Sequence, residues 1–255
     1  MKHIKTVTAM VMALALAVPM KAEQFDGKEG NDFGLWMTVG AEKKFNKKWS
    51  MGVEFEYRMH DNIEAGKGWG APNRWSIAIG ADYKPWSWLK LDAGYKFIRD
   101  HSLPEWNEKD QEETEAYWGS KHRVYASATG SYKVGNVKFS LRERWQYTYR
   151  CEVPDVTYDW KHDRLEPVKA KGKHVSRTKL QISYSKKKAW YEPYISYELY
   201  AAKKWDKMRY TAGCEFKINK HNAVDVFYRF QDVNKDDNYN DRDSHIIGIG
   251  YLFKF

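Results

Sequence analysis

The stretch from His245 to Phe255 alternates without a break. Phe255, Phe253, Tyr251, Ile249 and Ile247 share one face, and Lys254, Leu252, Gly250, Gly248 and Ile246 share the other. A period of two makes this a β-strand with one bulky apolar face. The same period returns near the other end of the chain, where Trp49, Met51, Val53, Phe55, Tyr57 and Met59 oppose Ser50, Gly52, Glu54, Glu56 and Arg58. A chain built of such strands must bury the apolar face of every one.

Reading the period through the sequence gives eleven segments, near residues 32–45, 49–59, 74–84, 89–97, 121–133, 137–148, 177–184, 191–199, 208–218, 224–231 and 245–255. Short turns near 46, 85, 135, 187 and 220 alternate with longer connections near 65, 110, 160, 204 and 238. The two longest connections, Arg99 to Ser120 and Arg150 to Val175, are polar and aperiodic and read as loops. Short turns at one end and long loops at the other are the layout of a transmembrane antiparallel up-and-down β-barrel. Such a barrel closes because edge groups cannot stay unpaired in lipid. Bacterial single-chain barrels have even strand numbers. The expected count is therefore 10 to 12, with twelve favoured if residues 23–31 add a short strand. The last strand should seal the barrel against the first.

Composition agrees with a barrel and excludes other classes. Mean hydropathy is −0.80 and no apolar run is long enough for a membrane helix. A barrel wall, apolar only at alternate residues, keeps a soluble-looking average. Aromatics reach 16%, with 12 Trp and 18 Tyr, enough for two interfacial girdles. The formal charge of +9 is spread among apolar residues and forms no basic face or arm, which argues against nucleic-acid binding. Residues 1–22 read as a secretory signal, with Lys2 and Lys5 ahead of the apolar run Val7 to Val18 and cleavage expected after Ala22, Ala17 being the alternative. Residues 23–255 then form a single barrel domain. Cys214 falls in mid-strand on the lipid side and Cys151 at a loop entrance, so no disulfide is expected.

Two resemblances carry this further. A terminal strand ending on Tyr251, Phe253 and Phe255 resembles the last strand of bacterial outer-membrane barrels, which the barrel assembly machinery reads as an insertion signal. Over nearly all of its mature length the chain resembles an uncharacterised outer-membrane barrel family of Bacteroides-like bacteria, domain-of-unknown-function family 2490. The matching stretches are Asp32 to Trp36, Asn73 to Ser76, Trp88 to Tyr95, Phe139 to Tyr147, Tyr228 to Asp232 and His245 to Tyr251. The resemblance implies the fold, export to the outer membrane of a Gram-negative bacterium and contact with its lipid. It implies no activity, catalytic residue or cofactor.

The lumen side of the strands carries the chemistry. Its acids include Glu54, Glu56, Asp82, Asp92, Glu192 and Glu198. Arg123, Lys138, Arg142, Arg144, Arg177 and Lys179 fall on the fifth to seventh strands and are expected to line one basic wall. That wall suits a small passive, porin-like channel for small polar or anionic solutes. The alternative is a non-conducting structural or interaction barrel, plugged by cross-strand ion pairs. A hydrolase would need a nucleophile and base, for which His122, Asp243, Ser244 and His245 are the candidates, without a signature. The expectation is that the chain is not an enzyme. The scattered loop histidines, such as His101 and His162, lack metal-ligand spacing, and no cofactor is expected.

One residue breaks the pattern: Glu143 sits on the lipid face of the sixth strand, between Leu141 and Trp145. A local bulge or water defect pairing it with Arg142 or Arg144 is the simpler expectation. The sharper one is a membrane-face site for a lipid headgroup or protein partner.

Overall fold

The computed structural model describes residues 32–60, 71–102, 104–107, 111–202, 204–234 and 243–255. Its strands run β1 (Asp32–Lys44), β2 (Trp49–His60), β3 (Ala71–Trp86), β4 (Leu89–Ser102), β5 (Glu105–Asn107), β6 (Glu112–Thr114), β7 (Tyr117–Val134) and β8 (Val137–Arg150). They continue with β9 (Val153–Asp159), β10 (Arg164–Val168), β11 (Lys171–Tyr184), β12 (Tyr191–Ala201), β13 (Trp205–Lys217), β14 (Asn222–Val233) and β15 (Ser244–Lys254). Eleven of them close a barrel in the order β1, β15, β14, β13, β12, β11, β8, β7, β4, β3, β2. Short β5, β6, β9 and β10 form a separate four-stranded sheet from two of the long connections.

The alternation in sequence becomes the two faces of the wall. Val53, Phe55, Ile77, Ile79, Leu141, Leu180, Ile195 and Ile249 are exposed, as residues facing lipid must be in an isolated chain. Aromatic clusters border this band. Toward the short turns Trp86 stacks on Trp88 with centroids 5.6 Å apart, Trp49 meets Tyr83 at 4.5 Å, and Trp190 stacks on Phe216. Toward the long connections His122 meets Tyr95 and Phe97, His174 meets Trp145 and Tyr147, and His245 meets Tyr228 and Phe230. Two girdles around an apolar band are the exterior of a membrane-spanning barrel.

Every barrel pairing is antiparallel except one. β1 runs parallel to β15, from Asp32 opposite Ser244 to Glu42 opposite Lys254. The count is thus eleven, inside the expected range and one below the favoured twelve. With an odd number of up-and-down strands the first and last run the same way, so closure has to be parallel. The last strand does seal against the first.

Two expected loops contain strands. β4 continues to Ser102 and β7 begins at Tyr117, so the connection between them is shorter than Arg99 to Ser120. β11 begins at Lys171, and β9 and β10 occupy the connection before it. β6 pairs with β9 across the two connections. These strands leave the band where lipid demands an apolar face, so their sequences carry no clean alternation. The expected signal segment 1–22, the expected twelfth strand at 23–31, and residues 61–70 and 235–242 lie outside the described residues. Cys151 and Cys214 are both free.

Candidate functional site

Alternation sends Trp36 of β1 into the lumen, and β2, β13 and β14 aim guanidiniums at its ring. Arg58 lies 3.6 Å from the ring centroid, Arg229 4.9 Å and Arg209 5.0 Å, in cation–π range. Trp36 is 4% exposed, Glu198 6%, Arg209 7%, and Ser76 is fully buried. Inward side chains of an open pore would be wetted. Here they fill the barrel at mid-height and form a waist.

Ion pairs tie the waist together. Arg74 holds Asp100 through two bonds, 2.6 and 2.9 Å, and Lys121 reaches the same carboxylate at 2.5 Å. Glu56 pairs with Arg58 at 2.9 Å and Lys96 at 3.7 Å. One oxygen of Glu198 accepts from Arg142 at 2.6 Å and Arg177 at 2.9 Å, and its other oxygen accepts from the Tyr200 hydroxyl at 3.0 Å. Tyr200 also accepts from Arg209, while Arg177 stacks on its ring at 4.4 Å. Bidentate and shared guanidinium contacts of this kind are the strong class of polar interaction.

Toward the short turns the lumen opens into a cavity of about 330 Å³. Glu192, Glu215 and Asp225 stand side by side there, being register partners on β12, β13 and β14. Lys217 holds Glu192 at 2.7 Å and the Tyr194 hydroxyl donates to Asp225 at 2.9 Å. The lumen is therefore acidic below a waist rich in guanidiniums.

The expected basic wall is present in part. On β8 and β11, Arg144 lies opposite Arg177 and Arg142 opposite Lys179. Acids neutralise most of it: Arg144 pairs with Asp92 at 2.9 Å, and Arg142 and Arg177 share Glu198. Arg123 pairs in register with Thr148 near the long connections, whereas Lys138 is level with Ser183 near the short turns, so these two do not meet. Among the remaining acids, Glu54 pairs with Lys96 at 3.3 Å and Asp82 with Lys90 at 3.2 Å. The sequence does not mark Arg58, Arg74, Arg209 and Arg229 as site residues, nor three further members of the waist. The spacing puts Asp100 in a loop and Tyr200 one residue past a strand end, and it gives Trp36 the lumen face without distinguishing it from its neighbours. Extending the parity of Glu192 to Glu198 by one step would have found Tyr200.

Glu143 has neither of the basic partners expected for it, and β8 pairs without a register shift on both sides. Arg142 and Arg144 point into the lumen because neighbours along a strand face opposite sides. Instead, the hydroxyls of Ser176 and Thr178 on β11 each donate to one Glu143 oxygen, the Thr178 bond measuring 2.5 Å. The carboxylate is satisfied within the wall itself.

The candidate hydrolytic residues are not brought together. His122 Nδ1 lies 2.6 Å from the Tyr95 hydroxyl on β4, and His245 Nδ1 2.6 Å from the Tyr228 hydroxyl on β14. Ser244 is buried and faces away from its neighbour His245, while Asp243 accepts from the Val233 amide at 2.9 Å. Among the described residues no group of three His, Cys, Asp or Glu side chains is placed to hold a metal ion.

Solved structures of the same fold include the translocator domain of the autotransporter NalP from Neisseria meningitidis. Its TM-score is 0.55 at 10% identity, over 89% of this chain and 91% of that one. The β domain of the Bordetella autotransporter BrkA scores 0.53 at 14% identity, over 80% of this chain and 79% of that one. At these identities the likeness concerns the barrel fold alone. No curated protein matches the chain. The family model described as "Protein of unknown function (DUF2490)" matches residues 33–242, most of the closed barrel and its waist, and the chain belongs to that family.

Proposed function

We propose that the protein is exported by its N-terminal leader, inserted in a Gram-negative outer membrane, and serves there as a narrow pathway for small anionic solutes. In the state described the pathway is shut at its waist. The two girdles and exposed apolar band support the location. The aromatic end of β15, with Tyr251, Phe253 and Phe255, supports recognition by the barrel assembly machinery. The observation that carries the functional reading is the waist: Trp36 is almost fully buried and held by three guanidiniums, where a general porin would have water. The excess of guanidinium there favours anions over cations. This reading assigns the chain no catalysis.

Conductance of the refolded protein in planar lipid bilayers tests it. Wild type should show no sustained large openings, and Trp36→Ala should give steady, anion-selective steps. Large steady openings in wild type would make the barrel an open porin. A Trp36→Ala variant as silent as wild type would favour the non-conducting barrel, for which the ion-pair network around Glu198 and Asp100 also speaks.

A further inference from the structure

Besides Arg142 on Glu198, six guanidiniums meet at the waist, from Arg58, Arg74, Arg123, Arg177, Arg209 and Arg229. Those of Arg74, Arg123, Arg177, Arg209 and Arg229 lie within electrostatic reach of Tyr200. The carboxylates among them are Glu56, Glu198 and Asp100, and each is already shared by two or more cations. Arg123 and Arg229 are left over. Arg123 Nε donates to the Thr148 hydroxyl at 2.9 Å and Arg229 Nε to the Thr211 hydroxyl at 3.0 Å. Among the described residues neither has a carboxylate within ion-pair distance. Nε of Arg58 and of Arg177, both buried, also finds no hydrogen-bond partner there.

Arg123 and Arg229 are half-buried, and a charge drawn partly out of water without a counter-charge is poorly stabilised, since a hydroxyl supplies only a dipole. β7 and β14 stand on opposite sides of the ring, so Arg123 and Arg229 approach the same space around Tyr200 from opposite walls. A guanidinium presents a planar fork of donors that matches the oxygens of phosphate or carboxylate, and a spherical ion cannot use that fork. We infer that the waist between Arg123, Arg229 and Tyr200 binds a multivalent oxyanion of the phosphate type, free or as a soluble monoester. The inference rests on the lumen being the solute-handling part of the barrel. It identifies the anion class that the pathway selects and the residues that select it.

Titration of refolded protein in neutral detergent with inorganic phosphate, against chloride at matched ionic strength, tests the site. Phosphate should bind saturably and raise the unfolding midpoint of wild type, and chloride should not. Arg123→Gln/Arg229→Gln should weaken phosphate binding at least about tenfold, the order expected on losing one charge-assisted contact. Lys138→Gln, remote from the waist, should bind as wild type does. Equal responses to phosphate and chloride, or an unchanged double variant, would overturn the assignment. Should the double variant misfold, arginine labelling of wild type by phenylglyoxal decides the question. Phosphate must protect Arg123 and Arg229, and labelling that phosphate leaves unchanged would sink the proposal. Vesicles of anionic phospholipid offer the same chemistry from a lipid, and protection by vesicles alone would move the site to the outer wall and overturn it. Saturable phosphate binding together with a silent Trp36→Ala variant would remove the pathway reading and leave the site standing.

Discussion

Gly248 should not tolerate even one added methyl group. It faces the lumen on β15, opposite Phe227 of β14 and Trp36 of β1. The Phe227 ring lies across it so closely that a Cβ at position 248 would stand 2.0 Å from Cζ and 2.3 and 2.4 Å from the two Cε atoms. An aromatic ring laid over a bare glycine on the next strand is a recognised way to cover backbone in a sheet. The ring has little room to retreat, because the Arg229 guanidinium lies 4.6 Å from its centroid and also touches Trp36. Overpacking a tight interior costs about 1–3 kcal/mol, and a clash with three ring atoms belongs in the upper half of that range. Gly248→Ala should therefore lose about 2–3 kcal/mol, roughly a thirty- to hundred-and-fifty-fold change in the unfolding equilibrium. Urea unfolding from lipid vesicles, with heat-modifiable gel migration as the folded-state assay, measures this. Phe227→Leu removes the obstructing ring atoms, so the double variant should be less unstable than the two single losses added together. The reasoning fails if Gly248→Ala stays within about 0.5 kcal/mol of wild type, or if the two changes are additive.

Replacing Ser176 by Ala and Thr178 by Val strands the Glu143 carboxylate on the lipid face. Leaving a charged group unsatisfied should cost about 2–3 kcal/mol, and adding Glu143→Leu should recover most of the loss. No recovery in the triple variant would show that the hydroxyls do not hold the carboxylate. In the four-stranded loop sheet the His162 side chain, with the Lys161 and His162 amides, holds the Asp159 carboxyl below the usual carboxylate range. A depressed folded-state value contributes stability above the unfolded value and loses it as pH falls. Segment 153–168 should thus become protease-sensitive as pH drops below about 4, with the barrel intact, and Asp159→Asn should be sensitive at pH 7. Cleavage independent of pH would refute this. Deleting Phe255 removes the bonds from its amide to Glu42 and from the Lys44 amide to its carbonyl, 3.0 and 3.3 Å, and the stack on Phe253. Assembly into vesicles should slow more than for any loop deletion, and equal rates would exclude a seam role for this residue.

How much the sequence disclosed follows from what the surroundings demand of each residue. Val53, Phe55 and Tyr57 could be placed because lipid requires an apolar group at every second position, and the requirement is local. Above the membrane that requirement lapses. Trp106, Glu113, Tyr158 and Leu165 form one row across β5, β6, β9 and β10, and the charge within it hides the strand pattern. Partner choice was legible only where it is local. Glu143 meets Thr178 because β8 and β11 are neighbours in a fixed register, which residue spacing does not reveal. Trp36 was placed correctly on the lumen side, yet its guanidiniums come from β2, β13 and β14. β2 is the next strand in sequence, but β13 and β14 come near β1 only once the ring has closed.

Ring closure also links the odd strand number to the site. Eleven up-and-down strands bring β1 and β15 together in parallel, a pairing slightly weaker per residue than antiparallel pairing. An unsealed edge in lipid would cost several kcal/mol for each unpaired group, so even a weaker seam is strongly favoured over none. Trp36 lies on the seam strand, directly opposite Gly248 of its parallel partner. Arg209 and Arg229 reach Trp36 from β13 and β14, across the seam, whereas Arg58 reaches it from β2 on the other side. The cation–π cluster at the waist therefore spans the one parallel joint in the wall. Closing the barrel and closing the lumen are, at Trp36, the same event, and a substitution there should weaken the seam while it opens the waist.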